Sequence, residues 1–139
     1  MRRVLFLCAG NSCRSQMAEG WGKKLLAGRA EVFSAGNRPG AVDPRAVKVM
    51  AEAGVDISGQ RSKHSDEFRG QAFDLVVTVC DNARESCPVW TGPARKLHRG
   101  FDDPPFLARE AQTEEEALAH YRRVRDEIKA FVEELWKIP

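Results

Sequence analysis

Four cysteines, Cys8, Cys13, Cys80 and Cys87, carry most of the chemistry available to this chain. A thiolate is a nucleophile, a metal ligand or half of a disulfide, and position decides which. Cys8 opens the run Cys8-Ala9-Gly10-Asn11-Ser12-Cys13-Arg14-Ser15. A loop of this size can turn successive backbone N–H groups inward as an anion nest, at the positive end of the following helix. Gly10 and Asn11 suit the positive-φ positions such a turn needs. Arg14 could fork two hydrogen bonds onto a tetrahedral oxyanion. Cys8 would face the same donors, which lowers a thiol pKa, and Ser15 could donate a hydrogen bond to the thiolate. The expected oxyanion loop is therefore Ala9, Gly10, Asn11, Ser12, Cys13 and Arg14. The blander alternative makes Cys8 a buried strand-end cysteine and Arg14 a solvated helix residue. The bare spacing is weak as a motif, and its placement between a strand and a helix is what strengthens it. Cys13 reads as structural, since free cysteine is often simply buried.

Cys80 and Cys87 lie seven residues apart, flanking Asp81-Asn82-Ala83-Arg84-Glu85-Ser86. Zinc ligands normally pair at shorter spacing, so no metal site is expected. If the segment were helical, seven steps of ~1.5 Å would hold the Cα atoms about 10 Å apart. A disulfide needs less than ~7 Å, so bonding requires the segment to unwind or loop out. From the residues alone the two remain either a redox pair or unrelated cysteines, one buried and one exposed. Gly100-Phe101-Asp102-Asp103-Pro104-Pro105 supplies a carboxylic acid, Asp103, that could protonate a leaving oxygen. Taken alone it reads as an Asp-Pro turn.

These residues need a scaffold that gathers them. Val4-Leu5-Phe6-Leu7 is a continuous apolar run, the pattern of a strand covered on both faces. Met17, Trp21 and Leu25 recur on one helix face, with Gly28 as a stop. Val32 to Gly36 reads as a second strand. Asp43-Pro44 starts a helix, with Val47 and Met50 on its apolar face and Gly54 at its end. Ser65 to Gly70 is expected as a short helix, Leu75 to Cys80 as the clearest strand, and Lys96-Leu97-His98 as a fourth. Thr113 to Glu116 matches a capping box before a long helix with Tyr121, Val124, Ile128, Phe131 and Leu135 on its buried stripe. Residues 81–95 and 99–112 are expected to be irregular. Alternating strands and helices predict a single α/β domain over 1–139: an open four-stranded parallel sheet with helices on both faces. In such a sheet ligands gather at the carboxyl ends of strands, where the Cys8 loop would lie.

Composition agrees with this class. Of 139 residues 42% are hydrophobic, enough for one core and too many for a disordered chain. The apolar runs are too short for a membrane span, and the N-terminal run stops too early for a cleavable signal, so a cytoplasmic protein is expected. The net charge of +2, with both signs interspersed, gives no nucleic-acid footprint.

The segments Cys8 to Gly22, Ser34-Ala35-Gly36, Val76 to Cys80, Cys87-Pro88, Gly100 to Pro104 and Arg123 to Ile128 resemble the thioredoxin-coupled arsenate reductases. The resemblance spans nearly the whole chain. That family is built on the low-molecular-weight phosphatase fold, a flavodoxin-like three-layer arrangement. The resemblance implies arsenic detoxification by a thiol relay. Cys8 attacks arsenate held by the loop and Arg14, while Asp103 protonates the departing hydroxyl. Cys80 then forms a Cys8–Cys80 disulfide as arsenite leaves. Cys87 converts it to a Cys80–Cys87 disulfide, which thioredoxin reduces. Phosphate or sulfate would compete for the loop, and a monomer is expected. Some members bind potassium through residues matching Asn11, Glu19 and Ser34 plus an Asp. Lys63 stands at that Asp position here, so potassium dependence is not expected. The runner-up is a low-molecular-weight tyrosine phosphatase using only Cys8, Arg14 and Asp103. Those enzymes usually place a tyrosine beside the acid, whereas Pro104, Pro105 and Phe106 follow it here.

Overall fold

The computed structural model describes residues 1–81, 87–135 and 137. The expected four-stranded parallel sheet is present, in the order β2-β1-β3-β4. Its strands are β1 (Arg2–Leu7), β2 (Ala30–Ala35), β3 (Leu75–Thr78) and β4 (Arg95–His98). Leu7 pairs with Ala35 on one side and Thr78 on the other. The chain leaves β1 in one direction for β2 and returns to the opposite side for β3. The carboxyl ends of β1 and β3 therefore flank the point where strand order reverses, the usual ligand crevice of open α/β sheets.

The alternating residues of β1 explain why its apolar run is unbroken. Val4 and Phe6 join the larger core cluster, whereas Leu5 and Leu7 join the smaller one on the opposite face. The larger cluster is built with α1 (Arg14–Leu25), α2 (Pro44–Glu52), α3 (Pro104–Ala108) and α4 (Glu114–Leu135). The other face is covered, among the described residues, by the single 3₁₀ turn Ser65–Phe68 and by an aromatic group. Phe68 and Trp90 each meet Phe73 edge-on, at 5.8 and 5.4 Å. The Arg3 guanidinium lies 4.8 Å from the Phe73 ring centre. Helical cover on both faces thus holds, with very unequal layers.

Most terminal signals act as expected. Asp43 accepts from Arg45 N at 2.9 Å with Pro44 behind it, and Gly28 and Gly54 adopt φ of 78° and 83°. At α4 the capping box is displaced by one residue: Glu116 N donates to Thr113 Oγ1, but Glu116 Oε2 accepts from Gln112 N. Three expectations change. β3 ends at Thr78 rather than Cys80, because β1 turns into its loop at Cys8 and Val79 N makes the last bond, to Leu7 O. On α4, Val132 is fully buried while Phe131 sits half-buried, edge-on to Phe101. The stretch 99–112 is not wholly irregular, since it contains α3. No described helix is long and apolar enough to cross a membrane.

Candidate active site

The loop after β1 is organised by its carbonyls. Ala9 O accepts from Arg38 N, Gly10 O from Ser62 Oγ, Asn11 O from Gln16 Nε2, Ser12 O from Asp43 N and Cys13 O from Met17 N. With those oxygens held by surrounding chain, the N–H groups of residues 9–13 are left without an acceptor among the described residues. That is the signature of a concave anion-binding nest at a helix N-terminus. Asn11 takes the positive-φ position, at φ 47°. Gly10 does not, contrary to expectation. The glycine that matters is Gly36: a Cβ there would lie 2.5 Å from both Cys8 O and Ala9 O. Its hydrogen allows β2 to pass directly behind the loop.

Asn11 is wholly buried, and its amide orients the site. Its Oδ1 accepts from Lys63 N at 2.8 Å and from Gln16 Nε2 at 3.0 Å. Its Nδ2 donates to Ser15 Oγ at 2.7 Å and to Ser34 Oγ at 3.0 Å. Ser34 in turn donates to Glu19 Oε1. Ser15 Oγ lies 2.8 Å from Cys8 Sγ. Ser15 Oγ accepts from Asn11 and still has one proton and one lone pair to offer the sulfur. Ser15 stands beside Cys8 Sγ, Asn11, expected as a loop residue, also ties Ser15 to Ser34 and Lys63, and Gln16 is the residue that motif reading missed. A buried glutamine on the core side of α1 was the available signal.

Arg14 is 4% exposed, not solvated. Its Nη1 donates to Phe101 O at 3.1 Å and its Nη2 faces Asp103 Oδ1 at 3.6 Å. Phe101 N is itself held by Val79 O at 3.1 Å. One tier thus joins the candidate acid, the guanidinium and the ends of β3 and β4. The Phe101 carbonyl had no sequence signal. Asp103 precedes α3 yet makes no side-chain cap bond to it.

Cys80, buried two residues beyond β3, is bonded to half-buried Cys87 with a Cα–Cα separation of 5.9 Å. The 5.9 Å separation is within the ~7 Å a disulfide needs, shorter than the roughly 10 Å a helical segment would give. Of the intervening segment, Asp81 is described and residues 82–86, on which the polar-loop expectation falls, lie outside the described residues. Cys8 and Cys13 are free thiols, so of the two anticipated disulfides the Cys80–Cys87 one is formed. Cys8 directly follows β1 and Cys80 lies two residues past the neighbouring β3, so both stand at the same sheet edge. Cys13 precedes α1 and is buried, and burial, followed by nearby Asp43, pushes its thiol up. Behind the loop, Lys63 Nζ stands 3.5 Å from Glu19 Oε1, and Lys23 Nζ lies 2.6 Å from Glu19 Oε2.

Residues 3–138 match the family model described as low molecular weight phosphotyrosine protein phosphatase. The chain is 52% identical to an arsenate reductase of Halalkalibacterium halodurans over 90% of its own length and 88% of that protein. It superposes with a TM-score of 0.80 on a solved arsenate reductase in the phosphate binding state, at 35% identity, covering 99% of this chain and 98% of that one. A thioredoxin-dependent arsenate reductase of Corynebacterium glutamicum is similar at TM-score 0.67 and 28% identity, over 99% of this chain and 61% of that longer one. The chain belongs to the low molecular weight phosphotyrosine protein phosphatase family, within its arsenate reductase branch.

Proposed function

We propose that this protein reduces arsenate to arsenite through Cys8, Cys80 and Cys87, with thioredoxin as the reductant. The observation that carries the reading is the Cys80–Cys87 disulfide at the edge where Cys8 stays free in an anion nest. Phosphoryl transfer would use Cys8, Arg14 and Asp103 and has no role for a bonded cysteine pair.

The loop N–H groups and Arg14 bind the arsenate oxygens. Cys8 thiolate, oriented by Ser15, attacks arsenic, and one oxygen departs as water after protonation by Asp103. Cys80 thiolate then attacks Cys8 Sγ. The S–As bond breaks with its electron pair going to arsenic, so arsenic(V) becomes arsenic(III) and a Cys8–Cys80 disulfide forms. Cys87 thiolate attacks Cys80 Sγ and releases Cys8 thiolate. The Cys80–Cys87 disulfide takes two electrons from a dithiol, which closes the cycle. The Corynebacterium glutamicum neighbour supports thioredoxin in that role.

Phosphate and sulfate have arsenate's shape and bind the same nest, but they are not reduced by thiols, so they act as dead-end competitors. The phosphate-bound relative supports this for phosphate. Weak phosphatase activity follows from the shared loop. It stays weak because the sole tyrosine, Tyr121, is buried on Asp43, away from the acid position. All residues of the cycle belong to one chain, so a monomer suffices. The need for a dithiol reductant fits the cytoplasm.

Free thiols are counted before and after one arsenate turnover of the fully reduced protein. Loss of two per molecule, with Cys80→Ser and Cys87→Ser each abolishing multiple turnover, is the expected result. Undiminished steady-state turnover in either variant would overturn the relay.

A further inference from the structure

We propose that Lys63 is the built-in cation of this site: its ammonium takes the place of a bound monovalent metal ion behind the loop. It acts as a positioning residue for the Cys8 thiol through Glu19, Ser34, Asn11 and Ser15. The inference rests on Cys8 being the nucleophile.

Glu19 is the starting point. Its side chain is only 6% exposed, a carboxylate held directly behind the anion nest. A buried charge of that kind needs a compensating charge or it will not stay ionised. Two ammonium groups meet it. Lys23 is 55% exposed, so water and salt screen its attraction, whereas Lys63 is 11% exposed and acts in a drier setting. Lys63 Nζ is fixed by a second bond, to Arg61 O at 2.6 Å. Burial pulls the Lys63 ammonium toward deprotonation and Glu19 opposes that pull, so the two charges sustain each other.

The same residue also grips the loop with its backbone. Lys63 N donates to Asn11 Oδ1, and Lys63 O accepts from Gly36 N at 2.9 Å. One end therefore fixes which way the Asn11 amide points, and the other sets an ammonium 3.5 Å from Glu19 Oε1. Ser34 Oγ donates to Glu19 Oε1 and accepts from Asn11 Nδ2. Asn11 then donates its other Nδ2 proton to Ser15, whose hydroxyl lies against Cys8 Sγ. Oxygens of Asn11, Ser34 and Glu19 are a hard donor set of the kind that suits a monovalent cation. With two ammonium groups already on Glu19, that set does not fit a potassium ion in this chain.

The test uses the protein with its Cys80–Cys87 disulfide formed, so that only Cys8 and Cys13 can be alkylated. Melting temperature and the pH profile of iodoacetamide alkylation at Cys8, located by fragment sequencing, are compared in potassium chloride and tetramethylammonium chloride of equal ionic strength. The wild type and Lys63→Arg should give the same values in both salts. Lys63→Met, which keeps the stem, should alkylate about threefold more slowly at neutral pH in tetramethylammonium, the equivalent of about half a pKa unit. Potassium should raise its melting temperature and recover part of the rate. Lys63→Asp should show the largest potassium dependence. A wild type that responds to potassium overturns the proposal. So does a Lys63→Met profile that matches wild type in both salts. Neither measurement involves arsenate, so a failed turnover assay and a failed positioning role give different results.

Discussion

The dipeptide Asp-Pro occurs at Asp43-Pro44 and Asp103-Pro104, each time just before a helix. The two carboxylates have opposite fates. Asp43 is fully engaged: Oδ1 accepts from Arg45 N, and Oδ2 accepts from the Tyr121 hydroxyl at 2.6 Å. Asp103 makes no cap bond to its own helix and faces Arg14 instead. Both helices pack on α4, the first running nine residues and the second only five. The same local signal thus serves stability in one place and leaves an acid beside a guanidinium in the other.

The sharpest way to break this contrast is to neutralise each acid. Asp103→Asn should lower kcat by about 10²–10⁴, the usual worth of a general acid, with the melting temperature near wild type. Asp43→Ala should do the reverse: a loss of about 1–2 kcal/mol in urea unfolding, with turnover per folded molecule largely kept. If both variants lose stability alike and activity alike, the division of roles is wrong. Tyr121→Phe probes the Asp43 side more gently and should cost about 1 kcal/mol, one hydrogen bond.

The same variant carries a pH signature. Burial, then the Asp43 bond, raises the Tyr121 hydroxyl well above its ordinary value of 10.0. The unfolded chain therefore releases this proton at lower pH than the folded one. The stabilisation is complete below about pH 10 and declines as pH rises beyond it. Tyr121→Phe should flatten part of that alkaline loss in a stability–pH series. An unchanged slope would mean the phenol ionises as easily folded as unfolded. The smallest effect is expected at Asp102, next to the candidate acid but paired with exposed Arg123 at 2.9 Å. Asp102→Asn should leave kcat intact and change stability by under about 0.5 kcal/mol. A large activity loss there would assign the acid to the wrong neighbour.

The Asp pair also illustrates what was legible. Asp43-Pro44 reads as a helix start, whereas Asp103-Pro104 taken alone reads as a turn, although both precede helices. α3 is too short to display a period, so only the cap could have revealed it. At the candidate site the loop, the cysteines, Arg14, Ser15 and Asp103 were all visible as residue types. The Phe101 carbonyl on Arg14 was not, because a backbone oxygen has no residue signature and this one is 87 positions away. Gly10 was credited with a backbone role that belongs to Asn11 and, through close packing, to Gly36. Glycine at a turn states freedom, and only the crossing of β2 behind the loop states necessity.

Sequence alone determined what depends on neighbours within a few turns of chain. That includes the doubly covered β1, the cysteine loop between strand and helix, the Gly28 and Gly54 stops and the α/β class. Backbone sterics, caps and hydrophobic period are local quantities, so they can be read locally. Tertiary structure decided which partners meet. The strand order β2-β1-β3-β4 sets Cys8 beside the chain leading to Cys80, and brings Lys63 against Glu19 and Asp103 against Arg14. Whether a charge is paired, a carboxylate withheld or a thiol bonded depends on groups tens of residues apart in a shared, water-poor space. Only the folded chain defines that space.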